Sequence, residues 1–469
     1  MKKNKVFLSI ASLVLSALGS CDRFMDVAPL NAITKANVFA DENTANAALL
    51  GLYAYMNASG VFDGSGTSIG FLTALSSDEL VNYYAAGQLG QERSQLNGNS
   101  LTAGTALISP VWNSLYQLVY RANDVIEGVT ENPAIPAGAA ERIAGEAAFL
   151  RGFAYFYLVN LYGRVPLVLD TDYRQNASMP RASIASVYGQ VISDLKRAQE
   201  VLPDDYGLSG GRRTRANAWA ATALLARVYL YTEAWADAEA EARKVVENQT
   251  LFALSGDIQS VFLRDGKESI WQLARYSGSS EINSPEGRVF IFSGKPASVA
   301  LRNTLPDAFE PGDRRKAAWI GETTDGESSY WYPCKYKATT DLPLTENSTV
   351  LRLSEQYLIL AEAKCYLGKI GESIAILDEL RQRAGLGTIV DPLVAANEGW
   401  LSGKIAQERL VELFTEWGHR WFDLKRTERA DEVLAPIKPH WKPTAQLYPI
   451  PENQLLANPA MSDDQNEGY

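Results

Sequence analysis

Three stretches of this chain repeat one spacing, Ala-x-x-Tyr-Leu: Ala154-Tyr157-Leu158, Ala226-Tyr229-Leu230 and Ala363-Tyr366-Leu367. Each sits in a run of helical period, and a second such run follows each one: 141–162 with 184–202, 215–231 with 235–247, and 352–367 with 372–384. One helix cannot bury its own apolar stripe, so repeated pairs of this kind are expected to stack. Ala238 and Ala375 share one offset in the partner runs. Small residues there are expected to let paired helices approach while tyrosine fills the groove. A weaker pair, 44–56 with 111–129, precedes them. The expected fold is mostly α: a tetratricopeptide-like helical repeat scaffold of four degenerate helix pairs with long loop-rich insertions.

The pairs are unevenly spaced. Residues 57–107 interrupt the first unit and 248–351 separate the third from the fourth; both are rich in Gly, Ser, Asn, Thr and Pro with aromatics between. That composition reads as irregular loops with a few short strands. Loops of such length are uncommon unless they form binding surfaces. The expected organisation is residues 1–20 as an export signal, 21–247 with three helix pairs, 248–351 as the loop-rich insertion, and 352–469 with the fourth pair.

The N-terminus supports that division. Lys2, Lys3 and Lys5 precede an uncharged run over residues 6–18, too short to span a bilayer well, and Leu18-Gly19-Ser20 leads into Cys21. This resembles the lipobox of bacterial lipoproteins, which are cut before the cysteine and acylated on it. A lipid on Cys21 is then the only expected membrane anchor. Removing the three lysines takes the net charge from -11 to -14, and an acidic chain is a poor nucleic-acid binder. Only Cys334 and Cys365 remain, which excludes a disulfide framework and a cysteine metal cluster. A bridge between them is permitted but not required. Cys365 falls on the apolar side of its helical run, where a small buried thiol is expected.

Several separated segments carry a family resemblance. Leu351-Arg352-Leu353-Ser354-Glu355-Gln356-Tyr357-Leu358 is followed by Glu408-Arg409-Leu410-Val411-Glu412-Leu413 and Gly418-His419-Arg420-Trp421-Phe422-Asp423-Leu424-Lys425-Arg426. The chain ends with Tyr448-Pro449-Ile450-Pro451 and Gln465-Asn466-Glu467-Gly468-Tyr469, and Tyr162-Gly163-Arg164-Val165-Pro166-Leu167 lies upstream. Together they resemble the SusD/RagB family of outer-membrane nutrient-binding lipoproteins. The resemblance implies a tetratricopeptide-like scaffold, a lipid anchor holding the chain at the outer membrane, and service as the lid of a SusC-like TonB-dependent transporter. It also implies an oligosaccharide or, in the alternative, a peptide as ligand. On their own residues, Arg352, Glu408, Arg409, Glu412, Arg420 and Asp423 read as helix-packing ion pairs, and Trp421 and Phe422 as core.

Candidate ligand contacts fall in the insertions. The stretch 77–84 joins Asp78 and Asn82 to Tyr83 and Tyr84. Aromatic faces suit the C–H side of a pyranose, and carboxylates, amides and guanidiniums suit its hydroxyls. Asp78 has a competing reading as the cap of a short helix beginning at Glu79. The second insertion offers Arg275 and Tyr276, and Trp331 in the run Tyr330-Trp331-Tyr332. Trp271, among alternating apolar residues, reads as a buried strand residue.

Enzymatic readings find less support. A glycosidase needs only two carboxylates, but nothing in the pattern singles out a pair. The two histidines, His419 and His440, belong to no metal or nucleophile motif. The chain is therefore expected not to be an enzyme and to need no cofactor and no metal.

Overall fold

A computed structural model describes residues 35–84, 87–389 and 397–469; Cys21 and the expected export signal lie outside them. Among the described residues, helices of eight or more residues are α1 (Glu42–Ala58), α2 (Ile69–Ser76), α3 (Gly87–Gly98), α4 (Ile108–Val129), α5 (Ala137–Tyr162), α6 (Ile184–Val201), α7 (Ala218–Tyr231), α8 (Trp235–Glu247), α9 (Leu353–Tyr366), α10 (Ile370–Arg383), α11 (Glu398–Leu413) and α12 (His419–Arg426). Strands of three or more residues are β1 (Leu80–Asn82), β2 (Ser269–Leu273), β3 (Arg275–Ser277), β4 (Ser280–Ile282), β5 (Val299–Leu301), β6 (Ile320–Thr324), β7 (Ser329–Pro333) and β8 (Ser348–Arg352). The fold is mostly α, as the periodicity predicts.

The expected partners pack in order: α1 on α4, α5 on α6, α7 on α8, and α9 on α10. Within the last three pairs the first helix is buried nearly all round. In α9 every residue from Leu353 to Cys365 is buried, and in α7 every residue from Ala220 to Leu230. Helices buried on all sides belong in the middle of a large core, with amphipathic partners outside them. Ala154, Ala226 and Ala363 are all fully buried, as is Ala238. Ala375, by contrast, is exposed, and Ser373 and Leu377 face α9 instead. The Ser373 hydroxyl donates to Ala361 O at 2.6 Å, so a polar contact replaces the expected close approach.

Helix ends follow local chemistry. Asp41 and Thr44 form a capping box at the start of α1, while Ser183, Asn217 and Asn397 cap α6, α7 and α11. α5 ends at Gly163, whose φ of 71° favours glycine.

The first insertion is more ordered than its composition predicts, since it contains α2 and α3. Ile69–Ser76 is buried on all sides and has no amphipathic period to detect, whereas Gly87–Gly98 is rich in poor helix formers. Glu79 begins no helix. It precedes β1, so Asp78 is not a helix cap.

Buried ion pairs tie the C-terminal helices to the second insertion. Arg352, fully inside, reaches Glu412 at 2.7 Å, Glu416 at 2.7 Å and Glu268 at 3.3 Å. Arg383 bridges Glu268 and Glu412 at 2.8 and 2.6 Å, and Arg315 holds Asp313, Glu408 and Glu412. Three arginines around Glu412 hold its carboxyl well below the usual carboxylate range despite burial. Arg409 pairs with Asp423 at 2.7 Å. These residues are scaffold: removing one partner would strand a buried charge. Trp271 is wholly buried, edge-on to Phe149 and Phe153, and Trp421 is wholly buried too. Among the described residues Cys334 and Cys365 are free thiols, Cys365 buried.

Candidate ligand-binding surface

β1 and β5 join the two insertions. They pair antiparallel, Leu80 opposite Leu301, Val81 opposite Ala300 and Asn82 opposite Val299. Past the last pair, the backbone N–H groups of Tyr83 and Tyr84 both donate to Ser298 O, at 2.8 and 3.1 Å. Asn82 fixes this bend: its amide nitrogen donates to Tyr84 O and Ser94 Oγ at 3.0 and 3.1 Å, and its amide oxygen accepts from Tyr84 N at 3.2 Å. Its amide is thus used to position the two tyrosines.

β5 also lies against β7, the second strand of the β6–β7 hairpin. In that hairpin Tyr330 is opposite Thr323, Trp331 opposite Glu322 and Tyr332 opposite Gly321. Asp325 closes the turn, accepting N–H bonds from Glu327 and Ser328 at 3.0 and 2.9 Å, and its other oxygen accepts the Tyr330 hydroxyl at 2.9 Å. These donors lower the Asp325 carboxyl from its ordinary value, and the hydrogen bond to that carboxylate raises the Tyr330 hydroxyl. A side chain at Gly321 would collide with the Tyr332 ring at 2.2 Å. Glycine there lets the ring lie across the hairpin, beside Phe292 at 5.2 Å.

The outcome is an aromatic surface built from both insertions. Tyr83, 36% exposed, stands edge-on to Tyr330 with centroids 5.8 Å apart. Tyr84 packs on the Arg93 guanidinium at 5.5 Å, whose other contact is Phe71 at 4.9 Å. Arg93 donates to Ser298 Oγ at 2.9 Å and Gly66 O at 3.2 Å and pairs with no carboxylate among the described residues. Burial lowers it from its ordinary value. Arg302, at the other end of β5, is likewise lowered by burial, with Asp78 and Tyr83 acting against that shift.

The sequence candidates divide. Tyr83 and Tyr84 lie on this surface, and Asn82 supports it. Strand side chains alternate between faces, so Trp331 points opposite to Tyr330 and Tyr332; it is half-buried and packs against the core. Asp78 is bound by Arg420 through both carboxylate oxygens. Arg275 reaches Asp63 at 3.6 Å, and Tyr276, 49% exposed, donates its backbone N–H to the Asn57 side-chain oxygen at the end of α1. No ring contact or hydrogen bond joins Tyr276 to Tyr83. Tyr330 is the residue that sequence reasoning passed over in favour of its neighbour. The signal for it was the strand period itself, once one residue of the run is assigned to the inner face.

Among the described residues, no group of three or more His, Cys, Asp or Glu could hold a metal ion, and no helix is long and apolar enough to cross a membrane.

A paired-helix scaffold that brings two insertions together in one aromatic, part-exposed surface defines a class of protein built to present a recognition face. The chain belongs to the SusD/RagB family. Residues 73–230 match the SusD-like family described as starch-binding and associating with the outer membrane, and residues 318–469 match the SusD family. SusD-like protein P2 of Formosa agariphila is 26% identical, with 100% of each chain covered. Among solved structures, a laminarin-binding SusD-like protein is 25% identical with a TM-score of 0.75, over 92% of this chain and 100% of that one. A SusD superfamily protein of Bacteroides vulgatus, 20% identical, shares the fold with a TM-score of 0.78 over 92% of this chain and 100% of that one.

Proposed function

We propose that this chain is a lipid-anchored surface protein that captures oligosaccharides and delivers them to a SusC-like TonB-dependent transporter, without catalysis of its own. The observation that carries this reading is the meeting of Tyr83 and Tyr330 from two insertions far apart in the sequence, part-exposed and backed by a hydrogen-bonded frame. Pre-placed rings lose little freedom when a sugar stacks on them, and this favours binding. The laminarin-binding relative supports a glycan over a peptide. The anchor rests on the lipobox-like Gly19-Ser20-Cys21, and the transporter rests on the family.

Isothermal titration of the mature chain against neutral oligosaccharides and mixed peptides tests the reading. Binding of one glycan class, weakened in Tyr83→Ala and Tyr330→Ala with folding intact, is the expected result. Binding to peptides alone would replace the glycan with the alternative ligand class. Co-purification with a TonB-dependent receptor tests the delivery step separately.

A further inference from the structure

A second concavity lies on the scaffold, away from the loop surface. It is an open depression of about 660 Å³ between α5, α6, α7, α12 and the C-terminal segment. Its walls include the rings of Tyr188, Tyr231 and Phe422, with Gln446 and Lys425 among them.

Lys425 is the unusual member. Its ammonium donates to one acceptor, Asn160 O, and lies over the Trp421 and Phe422 rings at 5.4 and 5.2 Å. Among the described residues it pairs with no carboxylate. Arg426 next to it is fully engaged by Glu362 and Asp423. The one carboxylate in the lining, Glu467, is exposed and makes no ion pair among the described residues. An ammonium can donate three hydrogen bonds, so two are left for another partner. Burial without a counter-ion also pushes Lys425 down to about 7, so it has electrostatic reason to accept an anion. Among the described residues the Gln446 amide has no hydrogen-bond partner, and it offers a donor and an acceptor.

We propose that this pocket is a second ligand site, selective for a uronic-acid pyranose, whose ring packs against Tyr188 and Tyr231 and whose carboxylate meets Lys425. The carboxylate requirement follows from the unpaired ammonium. The choice of a sugar ring to carry it rests on the glycan reading of the loop surface.

The test is titration of the mature chain with galacturonate, glucuronate and mannuronate trimers and with the methyl esters of the same trimers, which keep the ring and lose the charge. At least one trimer is expected to bind, with its ester at least tenfold weaker. That binding should be lost in Lys425→Met and in Gln446→Trp, which fills the pocket without touching the core, and retained in Tyr83→Ala and Tyr330→Ala. No binding of any trimer, equal binding of the ester, or binding that survives Gln446→Trp would overturn the proposal. So would loss in the loop variants alone. If Lys425→Met does not fold, Gln446→Trp decides. An acetylated peptide ending in phenylalanine serves as a further arm: a peptide that binds here in place of the trimers overturns the sugar assignment. Failure of the loop surface is read separately, from neutral oligosaccharides that bind nowhere.

Discussion

Both carboxylate oxygens of Asp78 are held by Arg420, Nε to Oδ1 and Nη2 to Oδ2, each at 2.7 Å. The pair joins the segment before β1 to α12, so the strand that presents Tyr83 is braced by the C-terminal half of the chain. Both side chains are mostly shielded from water, at 10% and 15% exposure.

Arg420→Met should therefore destabilise the protein by roughly 3 kcal/mol, because it leaves a shielded carboxylate unpaired. Adding Asp78→Asn should recover part of that loss, a coupling that a double-mutant cycle in urea would read. Additive single effects would mean that the pair does not brace the strand.

The aromatic surface makes a sharper distinction. Tyr83→Ala and Tyr330→Ala should each raise the glycan Kd about fivefold, in line with about 1 kcal/mol per ring contact, while shifting stability little. Trp331→Ala should do the reverse, because its ring packs inward: a lower Tm by several degrees and a smaller change in Kd. Calorimetry and thermal melts on the three variants check this. A Trp331→Ala variant that loses binding with an unchanged Tm would put that ring on the ligand side.

Packing within the repeats is testable at Gly145 of α5. A Cβ there would come 2.2 Å from Val201 Cγ2 at the end of α6. Gly145→Ala should cost about 1–2 kcal/mol by overpacking, although alanine is the better helix former. Val201→Ala should stabilise the protein in the Gly145→Ala background and destabilise it alone. That change of sign, measured by chemical denaturation, is the signature of the close approach.

The repeats were legible because stacking leaves a local trace. The spacing Ala-x-x-Tyr-Leu and the 3.6-residue period both sit inside one helix, and 235–247 was read to the residue as α8. The surface was legible only in part, because it is made by pairings that no local pattern records. Leu80 pairs with Leu301, and Asp78 meets Arg420 across 342 residues. Asp78 therefore looked like an available ligand group, and Trp331 stood out in its run although the pleat turns it to the face opposite Tyr330. α2 was invisible for a different reason: buried on every side, it has no polar face to set a period.

Glu79, one residue beyond Asp78, gives the fold a dependence on pH. It is fully buried, accepts an N–H bond from Thr415 at 2.8 Å and receives the Ser77 hydroxyl at 3.0 Å. Burial raises its carboxyl to about 7, the two hydrogen bonds and Arg420 oppose that shift, and Asp78 adds to it. The folded state thus holds this proton up to pH about 7, while the unfolded chain releases it near the ordinary value of 4.5. Between those values the folded state binds more protons, so the contribution is complete below pH 4.5 and falls as pH rises, vanishing above 7. Its size is on the order of 3 kcal/mol. Glu79→Gln has no proton to lose, so the stability difference between wild type and variant should drift in the variant's favour from pH 4.5 to 7 and then level off. Urea denaturation at intervals across that range measures it. Parallel curves would mean that Glu79 is already ionised in the folded protein, with Arg420 rather than burial setting its charge.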